Sequence, residues 1–285
     1  MSASAAEPLA PARRGRRIPW AIALPLAWVT IVVFCAVTAN WIGLADPAAQ
    51  ELILRRKPPS AEFLLGTDNL GRDMLSRIIY GARTSLIVGL CAPAFGFLIG
   101  GAIGMCAGYY RGKVDLLLVG VIDVLLAFPA LVLALTFTAY LGQSLFNVTL
   151  ALGILSIPAA ARVSRANTLA WGNRDFVLAA RTIGASNWRI LTREILPNLL
   201  PPMFAFWLVA MSVVIVAEGA LSFLGLGIPA PQPSWGGMIA DGREALDAAP
   251  HTALIPAGVM FLTVLSLNFL GDIVRNMVDP RRSAL

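Results

Sequence analysis

The sequence predicts an all-α membrane protein of six transmembrane helices, with the N- and C-termini both on the cytoplasmic side (N-in and C-in). Three observations carry that expectation. Of 285 residues, 58% are hydrophobic and 13% charged, where a soluble domain carries roughly a quarter. Charge is scarce because lipid-facing surface holds it only at a high cost. Six windows, free or nearly free of charge, match the about 20 residues that a bilayer-crossing helix needs: 19–42, 84–107, 115–140, 146–163, 201–225 and 252–272. The third observation is the placement of basic residues, with fifteen of 22 falling in segments that six spans put inside. That excess fixes orientation through the positive-inside rule.

The elements follow in order. Residues 1–17 form a basic tail with Arg13, Arg14, Arg16 and Arg17. The charge-free run 18–45 is longer than the about 7–15 apolar residues of a signal peptide and lacks a small-residue cleavage site, so it reads as an uncleaved first span. Residues 46–83 form an external loop with a helix-prone stretch from Leu70 to Arg83. This loop holds six of the seven outside basic residues, with five acids, Asp46, Glu51, Glu62, Asp68 and Asp73. Residues 84–274 hold the other five spans, the third and fourth divided at Leu141-Gly142-Gln143-Ser144, a glycine-bearing polar turn. A loop over about 164–200 follows the fourth span, and 275–285 form a cytoplasmic tail with Arg275, Arg281 and Arg282. Neither long loop reaches the size at which a lone core usually holds, so no segment reads as an independent catalytic domain.

Several chemistries are missing. ATP hydrolysis by this chain needs a GxxxxGK[ST] loop. The one Gly-Lys pair, Gly112-Lys113, is followed by Val114, and Ala107 stands where the first glycine belongs. A single histidine, His251, leaves no histidine-based metal site or Ser-His-Asp triad. Cys35, Cys91 and Cys106 lie in apolar runs without CxxC spacing and read as small buried hydrophobes. No cofactor or metal is expected, and the net charge of +6 follows from where the basic residues lie rather than from a nucleic-acid partner. Two acids fall at membrane depth, Asp123 in the third span and Glu218 in the fifth. Intramembrane acids are functional hypotheses. They are either proton-coupling groups of a secondary carrier or anchors that pair with polar groups of a neighbouring helix.

The stretch RTIGASNWRILTREILPNLLPP (181–202) is too ordered to be a linker. Asp175 to Ile183 and Ser186 to Ile195 read as short helices meeting at Gly184-Ala185-Ser186, with Ser186 capping the second. Pro197, Pro201 and Pro202 mark entry to the fifth span, Ile190, Leu191 and Ile195 form an apolar strip, and Arg189 and Arg193 a basic one. Docking of a soluble partner fits this pattern, as does an amphipathic hairpin resting on lipid headgroups.

Leu178-Ala179-Ala180, Gly184 and Glu194-Ile195-Leu196-Pro197 resemble the EAA loop of membrane subunits of binding-protein-dependent ABC importers. Leu178 replaces the family's leading glutamate and Glu194 an aliphatic residue. LLGTDNLGRDMLSRIIYGARTSLIVG (64–89), LSFLGLGIPAPQPSWGGMI (221–239) and LNFLGDIVRNMVDPRR (267–282) resemble segments of the C-type subunit of dipeptide, oligopeptide and nickel permeases. The resemblance implies a type I ABC importer permease fold without catalysis of its own. Its implied partners are a homologous B-type permease (a heterodimer with the path between), two ABC ATPase subunits that bind the ATP, and an external substrate-binding protein. It assigns ATPase coupling to Ala179, Ala180, Gly184, Ala185, Ser186, Asn187, Trp188, Arg189 and Pro197. It places binding-protein docking at Gly66, Asp68, Gly71, Arg72, Asp73, Pro231, Trp235 and Gly236. The substrate stays open between peptides, nickel and other small solutes, and a proton-coupled carrier using Asp123 and Glu218 is the rival from another class.

Overall fold

The computed structural model describes residues 20–278; the basic tail 1–17 and the C-terminal residues from Asp279, with Arg281 and Arg282, lie outside the described residues. Among the described residues the structure is helical, apart from one isolated bridge between Thr67 and Asp73. Helix α1 (Trp20–Thr38) packs along the last helix, where Trp28 Nε1 donates to Thr263 Oγ1 at 3.0 Å.

Helix α2 (Met74–Tyr110) is capped by Asp73, whose side chain accepts from the Ser76 N–H at 2.8 Å. It begins ten residues before the predicted span at 84. Arg77 and Arg83 interrupt the charge-free window, yet Arg77 is buried by pairing with Asp68 at 3.3 Å. The helix-prone stretch is therefore largely the first turns of α2, not a separate interfacial helix.

The predicted third span is broken rather than straight. Helices α3 (Gly112–Leu126) and α4 (Ala130–Leu141) meet at 79°. Pro129 lacks an N–H and pushes Phe128 out of helical geometry, which ends α3. The turn at 142–144 is as expected: Gly142 has φ +84°, and the Ser144 side chain caps α5 (Leu145–Trp171) by accepting from Asn147 N.

Helices α2 and α5 approach closely along Gly96, Gly100, Gly104 and Gly108, one glycine per turn. A Cβ at Gly104 would overlap the Ala161 carbonyl, and one at Gly108 would sit 2.9 Å from the Arg165 carbonyl. Small residues at this spacing let membrane helices pack backbone to backbone. We expect Gly104→Val to destabilise the helix pair by about 1–3 kcal/mol, the usual range for overpacking, seen as a lower thermal midpoint in detergent.

Helix α6 (Asp175–Thr182) leads to α7 (Asn187–Arg189), which runs through a π-helical turn (Ile190–Ile195) into α8 (Leu196–Phe223). The predicted second short helix is thus the start of the next span. Helix α9 (Trp235–Gly242) is a short inserted helix, and α10 (His251–Val278) completes the bundle. Among the described residues four helices, α2, α5, the 37-residue Asn187–Phe223 and α10, are long and apolar enough to cross a bilayer, and α3–α4 counts as a fifth if taken as one span. The first predicted span corresponds to α1, whose apolar stretch Ile22–Thr38 is shorter.

The core lies between α2, α5 and α8, around Val88, Ala92, Leu152, Val214 and Leu221. A second cluster joins α1, α2, α8 and α10 around Ile215, Leu267 and Trp235. Loop contacts sort the helix ends into two groups. Ala45, residues 66–72, Gln143, Gly225, Asp241 and His251 gather at one end, linked by Ser76 to Ala45, Gln143 to Gly225 and His251 to Thr67. Arg111, Asn173 and Asn187 meet at the other.

Candidate functional site

At the Arg111 end, α6 closes with paired backbone bonds, Gly184 N to Arg181 O and Ala185 N to Ala180 O, both 3.0 Å. This is the Schellman closure, and it needs a left-handed residue, here Gly184 at φ +77°. The Ser186 side chain then accepts from Arg189 N at 3.4 Å, capping the next helix. The turn rests on a buried cluster of Val177, Ala180, Ile190, Leu191, Ile195 and Tyr109. The apolar strip expected on the second helix is thus turned inward, packed against α2 and α6.

What remains outside is a projecting tip. Ile183 is 78% and Trp188 75% exposed, with Ala179, Asn187, Arg189 and Pro197 also exposed, whereas Ala180 is buried and Ala185 half-buried. Tyr109 holds the tip in place and was not foreseen. Its hydroxyl donates to Asn187 Oδ1 at 2.8 Å, and the Arg181 guanidinium lies 5.2 Å from its ring centroid. In sequence it is one more aromatic residue at a span end.

At the opposite end the predicted docking residues are mostly interior. Asp68 accepts from Arg72 Nε at 2.6 Å and lies 3.3 Å from Arg77 Nε, and both guanidiniums reach Asp241 on α9, at 3.4 and 3.8 Å. Although about half of the Asp241 side chain is exposed, partial burial of its carboxyl pushes it above its ordinary range, and Arg77 and Arg72 draw it back. Gly66 and Gly71 are buried at φ +78° and +76°, and a Cβ at Gly71 would collide with the Glu51 carbonyl. Trp235 is fully buried, its Nε1 donating to Ile78 O at 3.1 Å and its backbone N–H to Ser85 Oγ. Gly236 is pressed against Gly219 and Glu218. These residues build the end of the bundle. Of the eight docking residues Pro231 alone is exposed, while Asp73 is half-buried as the α2 cap. The apolar surface on offer is instead Leu52, Ile53 and Leu64, at 63%, 96% and 64% exposure.

The two intramembrane acids have different surroundings. Glu218 is fully buried and Oε1 accepts from Ser222 Oγ at 2.8 Å and Ser234 Oγ at 2.9 Å, joining α8 to the start of α9. Asp123 is not buried; it pairs with Arg162 of α5 at 2.8 Å. Both partnerships fit anchors between helices.

The family model for the binding-protein-dependent transport system inner membrane component matches residues 100–284. The chain belongs to this family. As an inner membrane component it is a permease subunit of an ABC importer, and the match covers both the tip at 183–189 and α9. It is 38% identical to the di/tripeptide transport system permease protein DppC of Pseudomonas aeruginosa, over 90% of this chain and 86% of that one. It is 41% identical to the glutathione transport system permease protein GsiD of Escherichia coli O6:K15:H31, over 94% and 89% respectively. Its fold resembles a chain of the MetNI methionine ABC transporter in an inward-facing conformation, with a TM-score of 0.60 at 18% identity, over 72% of this chain and 98% of that one.

Proposed function

We propose that this permease subunit is the C-type half of a heterodimeric importer of di- or oligopeptides, with six spans and both termini in the cytoplasm. The tip at Ile183–Arg189 docks an ATPase subunit. An exposed Trp and Arg beside an exposed Ile make the composition of an interface hot spot, and the buried cluster beneath keeps them in fixed positions. That rigid tip, continuous with α8, carries the reading. ATP-driven closure of the two ATPases moves it, α8 follows, and the path opens toward the external binding protein. The binding protein meets the opposite end through Leu52, Ile53, Leu64 and Pro231, an apolar patch of the kind that marks partner surfaces. The peptide substrate is supported by the names of relatives at about 40% identity.

Crosslinking and labelling test this. A cysteine at Asn187 is expected to crosslink to an ATPase subunit in the active complex and to react only from the cytoplasmic face, one at Asn69 only from outside. The reverse labelling overturns the orientation; a complex that hydrolyses ATP without any crosslink overturns the docking assignment. Alone, the purified chain is expected neither to bind nor to hydrolyse ATP, as equilibrium binding and phosphate release will report. Proteoliposome uptake of dipeptide against nickel decides the substrate.

A further inference from the structure

Asp123 and Arg162 are exposed where exposure to lipid is untenable. Asp123 comes eleven residues after Gly112 opens α3, about 16 Å along the helix axis. Arg162 lies nine residues before α5 ends at Trp171, about 14 Å from the same end of the bundle. Because the 27-residue α5, about 40 Å long, overreaches a hydrocarbon core about 30 Å thick, the pair sits in the part of that core nearer the Arg111 end of the bundle. Yet the side chains are 53% and 61% exposed, and charges at that depth face water or protein, not acyl chains.

The neighbouring backbone asks for the same cover. The α3–α4 break follows Asp123 directly, and the first-turn N–H groups of Ala130, Leu131 and Val132 have no intrahelical partners. Lipid cannot satisfy them, although Phe128, Leu131 and Val132 are exposed. Beside the ion pair opens a recess of about 250 Å³ lined by Gly104, Val119, Ala161 and Arg165. At about 30 Å³ per water molecule it has room for a small hydrated group.

The pair is also incompletely used. Arg165 is engaged at both ends of its fork by Asp115, at 2.6 Å each. Arg162 instead gives one nitrogen to Asp123 Oδ1 at 2.8 Å, which leaves Asp123 Oδ2 and the rest of the guanidinium fork for another partner. An ammonium suits the first and a carboxylate the second. A divalent cation would gain one carboxylate and meet an arginine.

We propose that Asp123 and Arg162 form a transit site for a zwitterionic solute in the translocation path, taking the free amino and carboxyl termini of a small peptide. The assignment rests on the peptide-import reading above. The test uses the full transporter in proteoliposomes, with Cys35, Cys91 and Cys106 replaced by serine and Val119→Cys introduced in the recess wall. The introduced thiol is expected to react with the water-soluble reagent methanethiosulfonate ethylammonium. Dipeptide-loaded binding protein with ATP and vanadate is expected to slow that reaction. Asp123→Asn and Arg162→Gln are expected to cut peptide delivered per ATP hydrolysed by about tenfold or more, the scale of a charged hydrogen bond, while Asp123→Glu retains most of it. A recess thiol that reacts only with a lipid-soluble maleimide overturns the site. So does unchanged delivery per ATP in both neutral variants. A transporter with native Asp123 and Arg162 that labels at the recess thiol but moves no peptide overturns the peptide reading, and the zwitterion assignment with it.

Discussion

Trp188→Ala is expected to abolish the stimulation of ATP hydrolysis by loaded binding protein while leaving the permease folded. The ring is 75% exposed and makes no buried packing of its own, so its removal opens no cavity. The cap, the Schellman turn and the cluster under the tip all persist, because none uses the indole. What the proposed docking loses is the large contact that the indole offers to the ATPase. Truncating a central interface tryptophan typically costs about 2 kcal/mol or more, some 30-fold in affinity. Gly184→Asp is expected to uncouple as well, by another route: a side chain at φ +77° strains the turn that aims the tip. Affinity of ATPase subunits for the detergent-solubilised permease, measured beside stimulated hydrolysis, checks both. A hairpin merely resting on lipid headgroups predicts that stimulation survives both changes.

Asp68→Ala is expected to destabilise the permease itself, by about 3–5 kcal/mol, the cost of breaking a buried ion pair. The carboxylate is 7% exposed and serves two guanidiniums at 3% and 4%, as well as the Leu70 and Arg72 N–H groups. Its loss leaves Arg72 and Arg77 with Asp241, which is half in solvent. Asp68→Asn keeps the hydrogen-bond acceptor, loses the charge, and is expected to fall between. The measurement is the thermal midpoint in detergent together with the yield of assembled complex. Were Asp68 a docking residue, the alanine variant would fold normally and bind the external protein weakly, the opposite outcome.

How much was legible depended on whether a residue's role was local. The Gly142–Ser144 turn, the left-handed Gly184 and the Ser186 cap are set by neighbours in sequence, and each is where the sequence put it. Arg77 misled because a charge ends a hydropathy window, although its charge is neutralised by Asp68, nine residues away on a different segment. The expected docking residues are a related case: Gly71, Arg72 and Trp235 lie in a signature stretch, and the fold buries them, which a signature does not register because it does not distinguish what contacts a partner from what builds the surface. The sequence places Asp123 at membrane depth because its span is apolar; that its side chain is about half exposed is a fact of packing that no window can register. The Gly96–Gly108 spacing is visible in the sequence but carries no signal by itself, since each glycine falls inside an otherwise ordinary span.

The unbroken run from Asn187 to Phe223 makes the projecting tip one end of a rod about 55 Å long. Its stiffness is uneven. The π turn at Ile190–Ile195 and the prolines at 197, 201 and 202 leave backbone carbonyls without their usual donors, all within the first sixteen residues. Beyond Met203 the hydrogen-bond ladder is regular as far as Phe223. A push on the tip therefore meets a compliant joint first and a stiff shaft second, like a lever with its spring at the handle. A displacement imposed at Trp188 is expected to be taken up first at this joint, before it reaches the far end, where Glu218 and Gly219 bear on α9.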